Sequence, residues 1–89
     1  MGQNMGANVM NWNNINRERF TLHRYPERDK RYTCEVVQER INREQCSGRI
    51  LDADGAEVWR MASYETMTQV IYLCTAKMAE LRAAGKAAI

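Results

Sequence analysis

The chain has one histidine, His23, and three thiols, Cys34, Cys46 and Cys74. A nucleophilic site of the Cys–His or Ser–His type would have to use that imidazole, with Cys34 or Cys46 as the attacking thiol. His23 falls on the polar side of a period-two segment, opposite Phe20, Leu22 and Cys34, where a solvated or ion-paired surface histidine belongs. A zinc site drawn from His23 and the thiols lacks the closely spaced ligand pairs on which structural zinc sites are built. Cys74 also stands where a helix needs a small apolar residue. Asp52 and Asp54 precede Gly55, and such a run without further oxygen ligands reads as a turn and not as a calcium loop. No P-loop and no G-x-G-x-x-G run occurs. The expectation is a protein without catalytic residues, metal or cofactor.

Binding chemistry is better represented. Residues 17–32 hold Arg17, Arg19, Arg24, Arg28, Lys30 and Arg31 against Glu18, Glu27 and Asp29, interleaved with Phe20, His23, Tyr25 and Tyr32. Cations follow phosphates and aromatic faces stack on bases, so a single-stranded nucleic-acid surface is one reading of those six basic residues. An exposed edge strand blunted by charge and by Pro26 has the same composition. The whole chain carries thirteen basic and eleven acidic side chains, a formal +2. That balance lacks the positive excess expected of a nucleic-acid binder and favours the edge strand. A second set consists of Trp12, Tyr25, Arg28, Arg31, Tyr72 and Leu73. Aromatic residues and arginine dominate protein-binding hot spots, so these six are the expected contacts with another protein.

Those residues must be positioned by a small number of elements. Residues 1–16, rich in Asn and Gly, read as an arm before a single domain over 17–89. Trp12 and Met10 would dock it on the domain or on a partner. Phe20 and Leu22 alternate with Thr21 and His23, a polar turn follows at 25–30, and Tyr32, Cys34 and Val36 alternate in return, which predicts a hairpin. A second hairpin runs from Cys46 to Leu51, turns through Asp52-Ala53-Asp54-Gly55, and returns through Glu57 to Met61. The tetrapeptide Ile-Asn-Arg-Glu stands before each hairpin, at 15–18 and 41–44, and superposing the copies lays Phe20 on Cys46.

The last element is a helix. Ser63 is its expected N-cap, Glu65 suits the first turn, and Gly85 is its expected stop. Tyr64, Met67, Ile71, Cys74, Met78 and Leu81 form the stripe expected to face the sheet, with Val70 at its border. Tyr72 and Leu73 project away from that stripe beside alanines, which suits a helix–helix contact with a second copy or a partner. The predicted fold is α+β: a four-stranded antiparallel sheet of two hairpins with one long C-terminal helix on one face.

Eighty-nine residues allow one modest core, so help from a partner or a homodimer is expected. An odd number of cysteines points to reduced thiols. No apolar run has membrane-spanning length, and the expected location is cytoplasmic. Four strands followed by one long helix resemble the positive-cofactor-type transcriptional coactivators, which dimerise and bind single-stranded DNA. Val58-Trp59-Arg60 leading into a helix resembles the plant AP2 DNA-binding domain. In size and style the chain also resembles small phage-encoded inhibitors, anti-CRISPR proteins among them. These resemblances carry no site residues with them. The expected function is a non-enzymatic protein–protein interaction module, of the kind a phage or mobile element uses to inhibit or adapt a host complex. Single-stranded nucleic-acid binding is the alternative.

Overall fold

The computed structural model describes residues 11–87. Four strands, β1 (Phe20–Pro26), β2 (Thr33–Glu39), β3 (Cys46–Leu51) and β4 (Glu57–Arg60), precede one helix, α1 (Met67–Ala87). The strands form an antiparallel meander in the order β1-β2-β3-β4, so the expected four-stranded sheet with one C-terminal helix is the observed fold.

The second hairpin follows from its turn. Gly55 adopts φ 85°, a conformation that a side chain disfavours. The Asp52 carboxylate accepts the N–H groups of Asp54 and Ala56, both at 2.9 Å. Asp52 is therefore committed to the turn backbone. The repeated tetrapeptide also has a structural meaning. Asn16 Oδ1 accepts the N–H of Glu18 at 2.9 Å, and Asn42 Oδ1 accepts that of Glu44 at 3.2 Å. Each copy makes the same Asx turn, and each feeds a strand whose first residue, Phe20 or Cys46, is buried.

Register decides the two faces of the sheet. Tyr25 lies opposite Cys34 and His23 opposite Val36, while Val36 lies opposite Gly48 and Cys34 opposite Ile50. Residues paired in this way share a face. His23 and Tyr25 thus belong to the helix side with Cys34 and Val36, and Phe20 and Leu22 belong to the other side. Alternation along the sequence groups Phe20, Leu22 and Cys34 on one face. Periodicity within a strand is silent about register across a six-residue turn, and that is where the grouping failed.

On the helix side, Cys34, Val36, Cys46, Met61, Val70 and Cys74 form a buried cluster, with Trp59, Met67, Leu73 and Met78 packed against it. Val70 stands at the centre of the helix face, not at its border, and Ile71 is 40% exposed. The packed stripe is rotated from the predicted one because α1 approaches the sheet over Gly48. A Cβ at that glycine would come within 2.9 Å of both Val70 Cγ1 and Cys74 Sγ. Glycine allows the helix to settle there.

The helix also starts and stops differently. Thr66, not Ser63, caps it: Thr66 Oγ1 accepts the Gln69 N–H at 3.3 Å. The preceding residues are held to β3, because Glu65 exchanges two backbone hydrogen bonds with Cys46, at 2.7 and 2.8 Å. Gly85 does not end α1. Arg31 lies 3.7 Å from the position its Cβ would take, and the helix continues to Ala87.

The opposite face is covered as well. Trp12, Phe20 and Val37 form a second buried cluster with Ile15, Leu22 and Tyr64 around it. Trp12 is only 5% exposed, and the Arg49 guanidinium lies over its ring at 4.9 Å. Residues 12–15 therefore belong to the folded body; residues 1–10 of the predicted arm lie outside the described residues. With a cover on each side, β2 buries four successive residues, Cys34, Glu35, Val36 and Val37.

Candidate functional site

Strand β1 is an edge: it pairs with β2 and, among the described residues, with no other strand. Its hydrogen-bonding phase is fixed at both ends. The Arg40 N–H donates to the Arg19 carbonyl at 2.8 Å, and the Glu27 N–H donates to the Tyr32 carbonyl at 2.9 Å. Bonded pairs alternate in an antiparallel ladder. Thr21, His23 and Tyr25 accordingly turn their backbone groups toward β2, and Leu22 and Arg24 turn theirs outward. The Phe20 N–H is taken by the Asn16 carbonyl at 2.9 Å, and Pro26 has no N–H. What remains on the edge is two donors, at Leu22 and Arg24, and the carbonyls of Phe20, Leu22, Arg24 and Pro26.

The side chains on the helix side of this edge are aromatic and partly uncovered. The His23 and Tyr25 rings stack 6.3 Å apart with a 12° interplanar angle, and Tyr25 is 44% exposed. Helix α1 packs on β2 and β3 and leaves β1 bare. At one end of β1 a cleft of about 200 Å³ is lined by Thr21, His23, Gln38, Glu39, Arg40 and Arg43. Gln38 organises it. Its Oε1 lies 3.1 Å from His23 Nε2, and its Nε2 donates to the Arg43 carbonyl at 2.9 Å. Arg40 Nε donates to the Arg17 carbonyl at 2.9 Å, and Glu39 is paired with Arg19 at 3.1 Å. Arg40 and Arg43 make no ion pair among the described residues.

The expected contacts are dispersed. Tyr72 is 66% exposed on the outer face of α1, and Tyr25, Arg28 and Arg31 lie at the surface around β1 and its turn. Trp12 is interior, and Leu73 packs against the helix-side core, so neither is free to meet a partner. Without Leu73, the face proposed for a helix–helix dimer keeps Tyr72 as its large apolar group.

The six basic residues read as a nucleic-acid track are divided between the face away from the helix and the two ends of β1. Arg24 and Arg49 both ion-pair with the buried Glu35 on the face away from the helix, Arg24 Nε donating at 3.0 Å and Arg49 Nε at 2.9 Å. Arg19 pairs with Glu39, and Arg28, Lys30 and Arg31 sit in or beside the turn between β1 and β2. Arg17 stands at the opposite end of β1. The sequence reading missed Gln38, Arg40 and Arg43. The second Ile-Asn-Arg-Glu copy was the available signal, since its turn carries Arg43 over the end of β1.

The reactive groups are engaged elsewhere. Cys46 Sγ donates to the Arg43 carbonyl at 3.3 Å, and burial pushes this thiol above its ordinary value. Cys34 lies against Cys74, and that contact together with burial raises its thiol too. The histidine faces the Gln38 amide and no thiol. Among the described residues no three His, Cys, Asp or Glu side chains converge to hold a metal ion. No described helix is long and apolar enough to cross a membrane.

The fold and surface define a class by architecture alone, a small meander sheet sealed by one helix with an open aromatic edge. No protein-family model, curated protein or solved structure matches the chain.

Proposed function

We propose that this protein is a non-enzymatic protein-binding module and that its partner adds an extended segment to β1. The observation that carries this reading is the outward set of backbone groups at Leu22 and Arg24. Main-chain hydrogen bonds along such an edge supply affinity, and side chains alternating on either side supply specificity. Tyr25 provides an exposed aromatic contact on the helix side of that edge. A protein that inhibits or adapts another complex would work through an edge of this kind without chemistry of its own.

The test uses the outward phase of the edge. In Leu22→Pro the lost N–H makes no bond to β2, so one of the two edge donors disappears. Leu22→Ala, which removes the same contact with the Phe20 cluster but keeps the N–H, is the packing control, and both should keep the meander by circular dichroism. Affinity capture with the wild-type chain, with and without nuclease, should retain a protein partner after digestion. In hydrogen exchange, the Leu22 and Arg24 amides should become protected in that complex. Leu22→Pro and Tyr25→Ala should each release the partner. A partner that leaves with the nucleic acid, or one indifferent to both variants, would refute the reading.

A further inference from the structure

We infer that the cleft at the start of β1 receives an acidic side chain from the strand that the edge accepts, so that the partner segment carries a carboxylate in register with Thr21. The inference rests on strand addition at β1 and names the chemistry of the occupant. A residue placed opposite Thr21 on an added antiparallel strand shares the helix-side face with Thr21, His23 and Gln38. It would point along the roof of the 200 Å³ cleft.

The cleft is built to receive an anion. Arg40 and Arg43 supply two guanidinium groups without a carboxylate of their own. The bond from Gln38 to the Arg43 carbonyl holds the Arg43 turn in place over the sheet. Thr21 adds a hydroxyl, while the His23 Nε2 is committed to the Gln38 Oε1. Glu39, the one acid in the lining, is already neutralised by Arg19. Guanidinium bonds to a carboxylate are among the stronger hydrogen bonds at an interface, and two charges lining one cleft would fix the register of an otherwise sequence-blind ladder. A nucleic-acid strand would need cations repeated along its path, whereas Arg24, the cation within β1, is on the face away from the helix and paired with Glu35, and the others lie at the ends of the strand. The next position on the same side of the partner strand faces His23. The one after it faces Tyr25 and suits an apolar or aromatic residue.

The probes are two soluble extended peptides of alternating Thr and Glu or of alternating Thr and Gln, with an oligothymidylate as a third arm. Backbone amide shifts of the full-length protein report each titration. The Thr–Glu peptide should move Leu22 and Arg24 together with Thr21, Gln38, Arg40 and Arg43, and should bind about tenfold more tightly than the Thr–Gln peptide. Arg40→Gln and Arg43→Gln, singly and together, should erase that difference and leave Thr–Gln binding unchanged. These exposed substitutions remove no core contact. Equal binding of the two peptides, with edge amides still moving, overturns the acidic-residue inference and leaves strand addition standing. Silence of the edge amides with both peptides overturns both. Cleft shifts produced by the oligonucleotide and by neither peptide would assign the cleft to nucleic acid instead.

Discussion

Glu35 is the most consequential single residue outside the proposed edge. It is only 1% exposed and lies between Arg24 and Arg49, with Glu57 and Arg60 extending the network through Arg49. Burial raises the affinity of a carboxyl for its proton, but the hydrogen bonds from Arg24 and Arg49 outweigh this and hold Glu35 below its ordinary 4.5. A depressed acid contributes stability above its unfolded value and loses it as pH falls through the folded one. The group's contribution should be complete above about pH 4.5 and should decline below that. Glu35→Gln should cost about 3 kcal/mol at neutral pH, read from urea denaturation midpoints. The gap between variant and wild type should narrow as the pH is lowered from 5 to 3. A gap independent of pH would mean that Glu35 is not ionised in the folded state. The sequence marked neither the burial of Glu35 nor its partners, because Glu35 sits between two apolar neighbours where alternation alone predicts a solvent-facing side chain.

At the scale of elements, the contact between α1 and the sheet turns on Gly48. Gly48→Ala should force the helix outward and cost about 1–3 kcal/mol, since its Cβ would meet two buried side chains. Thermal melts of this variant against Gly55→Ala separate packing from backbone strain: Gly55 has open space around it but a positive φ. The helix start gives a sharper comparison. Thr66→Ala should cost about 1 kcal/mol by loss of the cap, whereas Ser63→Ala should cost less than about 0.5 kcal/mol. Ser63 looked like the cap because serine precedes an apolar-periodic run. The bridge between Glu65 and Cys46 delays the helix, and that long-range pairing leaves no local trace. The hairpins were legible for the opposite reason: Asp-Gly chemistry and period-two alternation are local. The existence of α1 was legible too, and its rotation was not, because Val70 and Ile71 are equally apolar and a glycine in β3 chooses between them.

At the scale of the molecule, the sheet is closed on one side by α1 and on the other by Trp12, Ile15 and Tyr64. Composition showed that the core would be small, and Trp12 pointed to docking on the domain or on a partner; the Asn and Gly around it left that choice open, and the structure places it on the domain. Trp12→Ala should therefore behave as a core mutation. It should cost about 3 kcal/mol and, for a domain of this size, lower the melting temperature by roughly 15 °C. A change of a degree or two would show that the tryptophan cover contributes little. This closure has a kinetic side. Trp12 stacks beneath Arg49, and Phe20 lies 6.4 Å from Tyr64, contacts that join the beginning of the sheet to segments made long after it. The two hairpins are able to form from neighbouring residues alone, but the face opposite the helix stays wet until the segment around Tyr64 has arrived. Collapse of that face is then a late, loop-closing event, and refolding should be slower than a helix and two hairpins suggest. In the interval Phe20, Val37 and the β1 edge are bare together, and a chain caught there is most prone to pair with its neighbours.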